Sequence, residues 1–263
     1  MSRSLIGDYI DSFRNPGFWT YSTWLELVTK YRRSRLGLFW ALCPALVYMF
    51  GVGGFYGFLQ GHSARDFIPH LGIGYITFRF ITISLSECTT AFIGHASFIL
   101  DGRVRLTDYI LRVVAKALFY FVMALPALAV ALALSDSFSF MGLLPSFAAF
   151  ILVLLNVGWM GAVVAILGAR LQDVHELIGS ILMFSFLFTP IIWYAHQAPA
   201  DTLRGMIARA NPLYHMIESV RAPLLGEAIE PLTYLYLSIM LFGGWILAAI
   251  IYKRLARYVP VWV

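Results

Sequence analysis

Four cationic side chains lie within six residues, immediately before the first long apolar stretch of the chain. They are Lys30, Arg32, Arg33 and Arg35, and the apolar stretch begins at Gly37. Cations in such a place bind lipid phosphates, and each contributes about 1 kcal/mol near an anionic membrane surface. The cluster predicts a lipid-headgroup contact on the cytoplasmic side, because positive charge marks the cytoplasmic end of a membrane span.

A single arginine interrupts the second apolar stretch. Arg79 lies about eleven residues into it, and Thr82 and Ser86 follow on the same helical face. An arginine within a membrane is costly and normally faces the protein interior or a water-filled path. The pattern predicts the polar wall of a translocation pathway. The other interpretation is a buried polar stripe bonded to neighbouring helices, or an Arg79 that is paired with Glu87.

Several aromatic residues lie away from the ends of the apolar stretches. Tyr48 and Phe55 are in the first, and Phe184 and Phe188 are in the fifth. Aromatic faces stack on the apolar faces of sugar rings, so these four residues fit a pathway for a glycan. Aromatic residues are also common where spans face lipid and headgroups, which is the other interpretation.

Catalytic motifs are sparse. None of the three lysines follows a glycine, so the sequence has no recognisable phosphate-cradling loop for ATP, and the H-E-x-x-H and C-x-x-C patterns are absent. Asp173, His175 and Glu176 form the one local group of acids with a histidine, and a membrane-embedded transferase would have to use them. We therefore predict no metal site and no cofactor bound by this chain.

The composition indicates that lipid is the solvent of this chain. Of its 263 residues, 60% are hydrophobic and 13% charged, with a mean hydropathy of +0.78, whereas soluble domains carry about 25% charged residues. We predict one all-α integral membrane domain over 1–263, with a cytoplasmic amphipathic segment at 1–36, a six-helix membrane region at 37–252 and a cytoplasmic tail at 253–263. The six spans are predicted at about 37–59, 68–94, 111–134, 142–167, 178–194 and 233–252.

Charge orients these spans. With the N-terminus inside, fourteen Lys and Arg residues lie on the inner side and four on the outer side, which predicts that both termini are cytoplasmic. The basic excess is that of a membrane protein and does not predict nucleic-acid binding. Two segments outside the spans are predicted to be amphipathic. One is an interface helix within 1–36, before the first span, and the other, at about 199–225, is an outer helical hairpin that re-enters the membrane.

Five sequence runs resemble the ABC-2-type permeases of bacterial polysaccharide exporters, which move O-antigen or capsular glycans. They are Lys30-Tyr31-Arg32-Arg33-Ser34-x-Leu36-Gly37-x-x-Trp40, Thr189-Pro190-Ile191-Ile192-Trp193, Asn211-Pro212-Leu213-Tyr214-His215 with Arg221-Ala222-Pro223-Leu224-Leu225-Gly226, and Tyr258-x-x-x-Trp262-Val263.

The resemblance implies a homodimer in the bacterial inner membrane, joined to two copies of a separate ABC ATPase that holds ATP and Mg. It implies export of a polysaccharide linked to undecaprenyl diphosphate, with the lipid diphosphate near the Lys30–Arg35 run. Residues facing the ATPase would include Glu26, Arg103, Arg105 and Asp108, and the external gate would include Asn211, Pro212 and Arg221. Relatives often have a proline near the position of Thr107. An ABC-2 permease for a small drug or lipid is the alternative with the same architecture, and a membrane-embedded transferase is the second.

Overall fold

The computed structural model describes residues 4–100, 102 and 104–263, and the regular structure within these ranges is helical. A π-helical segment at Val47–Val52 separates α3 from α4. The α-helices in chain order are α1 (Leu5–Arg14), α2 (Gly17–Arg32), α3 (Phe39–Leu46), α4 (Gly53–Leu59), α5 (Ala64–Thr90), α6 (Ala96–Leu100), α7 (Leu106–Ala133), α8 (Leu143–Arg170), α9 (Val174–Phe188), α10 (Leu203–Ala210), α11 (Pro212–Leu224), α12 (Pro231–Leu255) and α13 (Val259–Trp262).

Five helical stretches in the described residues are long and apolar enough to cross a membrane. They are Phe39–Leu59, Ala64–Thr90, Leu106–Ala133, Phe140–Arg170 and Pro231–Trp262. The chain is therefore a multi-pass membrane protein, and five of the six predicted spans have a counterpart of sufficient length.

The predicted fifth span is a shorter helix than the apolar run indicates. Helix α9 has 15 residues, or about 22 Å, against a hydrocarbon core of about 30 Å. It ends at Phe188, and Thr189 is extended because the ring of Pro190 disfavours helical geometry in the preceding residue.

Helix α9 and the segment after it run alongside α5 in the opposite direction. At one end, Nδ1 of His175 lies 2.8 Å from Oγ1 of Thr89. At the other end, Nε2 of His70 lies 3.1 Å from the carbonyl oxygen of Trp193. The nineteen helical steps from His70 to Thr89 correspond to about 28 Å of helix.

Helix α5 is the centre of the bundle. It packs against α4, α7, α8, α9 and α11. In an 18-residue apolar stretch of Ala64–Thr90, 78% of the residues are buried, compared with 17% in such a stretch of Pro231–Trp262. Helix α8 approaches it very closely at Gly168, where a Cβ atom would lie 2.0 Å from the carbonyl oxygen of Thr89. Several surrounding helices have exposed apolar side chains, among them Phe147 of α8 and Phe242 of α12.

Both ends of the described chain meet at the same end of the bundle. The hydroxyl of Tyr252, in α12, donates to Asp8 of α1 at 2.6 Å. The hydroxyls of Ser12 in α1 and Thr107 in α7 lie 2.7 Å apart. The first helix is not evident from the sequence, because residues 1–17 look polar. Its buried face includes Leu5 and Tyr9.

The predicted interface helix is α2, and it packs lengthwise on α7. The hydroxyl of Thr23 donates to the carbonyl of Arg112 at 3.2 Å, and Nζ of Lys30 donates to the hydroxyl of Tyr120 at 2.8 Å. The two helices therefore run in the same direction. Polar side chains of the predicted interface helix thus bond to α7, a contact that the amphipathic pattern did not predict.

Candidate functional site

Four charged side chains join α2, α5 and α7 near the end of the bundle where the chain ends meet. Glu26 accepts from Arg112 and from Lys116, each at 2.7 Å. Lys116 also pairs with Glu87 of α5. The predicted ATPase-facing residue Glu26 thus lies at the centre of an ion network that fixes α2 to two long helices.

The pKa values of Glu26 and of the neighbouring His95 are both lowered. Burial would raise the pKa of Glu26, but hydrogen bonds and Coulombic attraction from Lys116 and Arg112 outweigh it and lower the pKa. Burial lowers the pKa of His95, and the positive charge of Arg112 adds to this shift. Nδ1 of His95 lies 2.9 Å from the carbonyl oxygen of Ala91, and its Nε2 faces Nη1 of Arg112. This geometry fits a neutral histidine that donates from Nδ1 and accepts at Nε2.

The segment after α5 carries the other predicted ATPase contacts. The backbone N–H of Arg105 donates to the carboxylate of Asp108 at 3.2 Å, which caps the start of α7. Asp108 is buried, whereas the side chain of Arg105 is partly exposed and lies 4.0 Å from Asp11. Asp108 therefore supports the segment from within, and Arg105 is at its surface. Arg103 lies outside the described residues.

The basic run before the first span divides into two sets. All four cations are exposed, but Lys30 also bonds to Tyr120 of α7. Three cations, Arg32, Arg33 and Arg35, are thus at the surface without such a bond, and the fourth is held against α7.

Arg79 lies against the same tyrosine. Its guanidinium carbon is 5.5 Å from the centre of the Tyr120 ring. Glu87 pairs with Lys116, so the alternative in which Glu87 neutralises Arg79 is wrong. The hydroxyl of Thr82 donates to the carbonyl of Arg79 at 3.1 Å. Ser86 is partly exposed one turn further along α5.

The four predicted pathway aromatics occupy different surroundings. Tyr48, in the π-helical segment, stacks on Tyr75 of α5 with ring centres 4.0 Å apart. Phe55, Phe184 and Phe188 are 59%, 62% and 47% exposed on the single subunit. Three of the four rings are thus available to lipid, to a second subunit or to a substrate.

A groove of about 430 Å³ lies between the end of α9, the segment after it and α10. Phe188 and Trp193 supply aromatic faces, and Gln197 and Arg204 supply polar groups. The groove is an amphipathic surface near the His70 end of α5, because Trp193 is bonded to His70.

The predicted gate residues Asn211 and Pro212 lie at the start of α11, where Asn211 joins this helix to the rest of the bundle. Asn211 caps α11 by accepting from the N–H of Leu213 at 3.0 Å, and its Nδ2 donates to Thr189 at 2.8 Å. Pro212 occupies the first turn of α11, where proline fits because the helix needs no N–H there. The amphipathic pattern predicts that α11 belongs to an outer hairpin that re-enters the membrane; in the structure most residues of this helix are buried.

Arg221 is an interior residue, 1% exposed. It pairs with Glu218, donates to the carbonyl of Pro190 and lies 3.2 Å from Nε2 of His70. A buried arginine of this kind fixes α11 to α5 and to the segment after α9. Arg221 is therefore an anchor of α11 in this conformation.

The sequence did not predict the α7 partners of Glu26 and Lys30. Arg112, Lys116 and Tyr120 follow one face of α7 at helical spacing, which the sequence does show. In the sequence alone, however, the two cations indicate only the orientation of the span in the membrane, and the tyrosine is one more apolar residue. Their partners in α2 lie 86 to 90 positions earlier in the chain. A single sequence does not reveal pairing at that separation.

The residues that a transferase would need lie at the start of α9. Asp173, His175 and Glu176 are exposed, and His175 bonds to Thr89. Within the described residues, no group of three or more His, Cys, Asp or Glu side chains is placed to hold a metal ion.

Comparison with known proteins gives the family. A search of curated proteins found no match. A family model for the ABC-2 type transporter matches residues 18–225, from the helix before the first span to the end of the outer helices. Such a membrane domain is the permease component of an ABC transporter, and the chain therefore belongs to the ABC-2 type transporter family.

Proposed function

We propose that the chain is the permease subunit of an ATP-driven exporter that moves lipid-linked, O-antigen-like polysaccharide out of the bacterial cytoplasm. The observation that carries the choice of substrate is the groove beside Phe188. It combines the aromatic faces of Phe188 and Trp193 with the polar groups of Gln197 and Arg204, and a sugar needs both kinds of contact. The motifs that resemble polysaccharide exporters support the same choice.

The proposed assembly is a homodimer with two ABC ATPase subunits, since permeases of this family typically work with an ABC ATPase. In 18-residue apolar stretches of Phe39–Leu59 and of Pro231–Trp262, only 22% and 17% of the residues are buried. These helices retain apolar surface on which a second copy can pack. ATP and Mg would be held by the ATPase, and Arg105 at the surface of the segment before α7 is the residue best placed to contact it.

The proposed topology has six crossings in the bacterial inner membrane and both termini in the cytoplasm. Helix α9 and the segment to Trp193 run alongside about 28 Å of α5, which is close to the thickness of a hydrocarbon core. The Asp8–Tyr252 bond joins the two ends of the chain. If α9 and the segment to Trp193 form a sixth crossing, the number of crossings is even, and both ends of the chain lie on the same side of the membrane.

Asn211 and Pro212 form the proposed external gate hinge. They separate α10 from α11, and α11 is anchored by Arg221. Because α10 lines the groove beside Phe188 and has a largely exposed surface, movement of α10 about this junction would change the width of the outer exit.

Deletion of the gene followed by staining of surface polysaccharide tests the function. We expect the long-chain glycan ladder to disappear and to return with the wild-type gene, and an ABC ATPase to co-purify with the tagged permease. An unchanged ladder would overturn the proposal and favour a permease for a small drug or lipid. Turnover of a lipid-linked donor by the lone subunit would instead indicate a transferase.

A further inference from the structure

One arginine in the groove beside Phe188 carries a charge that the protein does not neutralise. Arg204 lies in the first turn of α10, is exposed and lines the groove. Within the described part of the chain, no carboxylate oxygen lies within 4.0 Å of its guanidinium nitrogens. Asp201, three positions earlier, neither pairs with Arg204 nor lines the groove. Arg204 therefore presents a full positive charge to a molecule that enters the groove.

The other arginine of α10 has the opposite surroundings. Arg209 donates from Nε to both carboxylate oxygens of Glu230, at 3.1 and 3.0 Å, and from Nη1 to the carbonyl of Ala198 at 3.0 Å. Its charge is thus neutralised, and its side chain fastens α10 to neighbouring segments. The packing of α10 accounts for Arg209 in this way, but it does not account for Arg204.

The rest of the groove offers the uncharged contacts that a sugar needs. Nε1 of Trp193 donates to the carbonyl of Leu187 at 3.3 Å, which holds the indole ring at the groove. Nε2 of Gln197 donates to Oε1 of Gln60 at 3.3 Å, so Oε1 of Gln197 is left as an acceptor for a sugar hydroxyl. Among the described residues that line the groove, Arg204 is the one with a charge. An acidic group on the ligand would therefore meet a cation and no competing carboxylate.

We infer that this groove binds an acidic glycan, with an anionic sugar substituent such as a carboxylate on Arg204 and sugar ring faces on Phe188 and Trp193. The inference rests on the proposed function and adds the charge of the exported polysaccharide. A guanidinium binds a carboxylate through two parallel hydrogen bonds, which are about twice as strong as neutral ones. Because Arg204 is exposed, salt screens this contact, and binding should weaken as the salt concentration rises.

The test compares two probes that differ in charge alone, on the complete permease–ATPase complex in phosphatidylcholine nanodiscs. They are a fluorescently labelled oligogalacturonate and its methyl ester, which has the same sugar rings without the negative charges. We expect the acid to bind about tenfold more tightly at low salt. Arg204→Gln should weaken the acid by about tenfold, as expected for loss of one charged hydrogen bond, and leave the ester unchanged.

Two further variants separate charge from structure. Arg204→Lys keeps the positive charge and should keep most of the preference for the acid. Arg65→Gln removes an exposed cation at the start of α5, outside the groove, and should leave both affinities unchanged. Melting temperatures and co-purification of the ATPase should be the same in all of these variants, because both arginines are exposed.

Equal binding of the acid to wild type and Arg204→Gln would overturn the inference, as would a failure of wild type to bind either probe. Equal affinity for the two probes, lost in the Phe188→Ala, Trp193→Ala double variant, would also overturn it but would support the proposed export of a glycan. Conversely, an Arg204-dependent preference for the acid, in a transporter whose deletion leaves the glycan ladder unchanged, would refute the proposed export function and retain this site.

Discussion

Glu26 accepts a hydrogen bond from Lys116 at 2.7 Å, across 90 positions of sequence. The same carboxylate accepts from Arg112, and Lys116 continues the network to Glu87. The helix before the first span is therefore fixed by charge to the long helices α5 and α7. Movement imposed on α2 by an ATPase would be transmitted to α5 and α7 through these ion pairs.

Glu26→Gln should loosen α2 and weaken this transmission. Arg112 and Lys116 would each lose a charged acceptor, which costs about 1–3 kcal/mol when the groups are partly buried. We expect a lower melting temperature and faster proteolysis between α2 and α3, together with lower substrate-stimulated ATP hydrolysis by the complex. Glu176→Gln is the matched control, because Glu176 is exposed on α9 and has no ion pair in the described residues. Equal melting curves for wild type and Glu26→Gln would contradict the fastening role.

Acid should destabilise the contact between His95 and Arg112. Burial lowers the pKa of His95 below its usual 6.5, so the unfolded state binds the proton more readily than the folded state. Stability is then lost as pH falls below about 6.5, and the imidazolium would also repel Arg112. His95→Gln retains an acceptor for Arg112 but does not titrate. Its melting temperature should fall less than that of wild type between pH 7 and pH 5.

The control for this pH dependence is His196→Gln, at an exposed position near the other end of the bundle. We expect its melting curve to follow that of wild type at every pH. If His95→Gln showed the full wild-type loss on acidification, another group would be responsible.

The apolar runs predicted six spans, and five of them have a helix of sufficient length in the described residues, because a span needs one local property, sustained apolarity. The end of α9 at Phe188 was missed, although Thr189-Pro190 is a local stop signal, because the apolar run continues past it to Trp193. The ion network around Glu26 and the burial of Arg221 were missed for a different reason. Both depend on which helices become neighbours, and a single sequence carries little information about long-range partners.

The Arg221–Glu218 pair should show strong energetic coupling. Arg221→Met leaves a buried carboxylate without its cation, which typically costs about 3–5 kcal/mol. The double variant Arg221→Met, Glu218→Leu removes both charges, so much of that loss should be recovered, although the carbonyl of Pro190 would still lack its donor. Melting temperatures of the wild type, both single variants and the double variant give the coupling. If the losses of stability in the two single variants simply added up to the loss in the double variant, the pair would not anchor α11.

The close crossing of α5 and α8 should not tolerate a methyl group. In Gly168→Ala the new Cβ would lie 2.0 Å from the carbonyl oxygen of Thr89, so the helices must separate, at a cost of about 1–3 kcal/mol. In Gly179→Ala, on α9, the new Cβ would meet no heavy atom within 4 Å beyond the backbone of its own helix and its chain neighbours, and alanine favours a helix. We expect a lower melting temperature for the first variant and an unchanged or higher one for the second.

Aromatic residues of the groove beside Phe188 should affect glycan export strongly and folding only slightly. Phe188→Ala and Trp193→Ala each remove a ring from the groove that Gln197 and Arg204 also line. If sugar rings stack there during transport, the amount of long-chain surface glycan should fall severalfold while the permease still co-purifies with its ATPase. Phe147→Ala removes an exposed ring of α8 that does not line this groove, and it should leave display unchanged. A glycan ladder of normal length and intensity in the Phe188→Ala, Trp193→Ala double variant would exclude the groove from the export path, because no aromatic face would remain there to stack on the sugar.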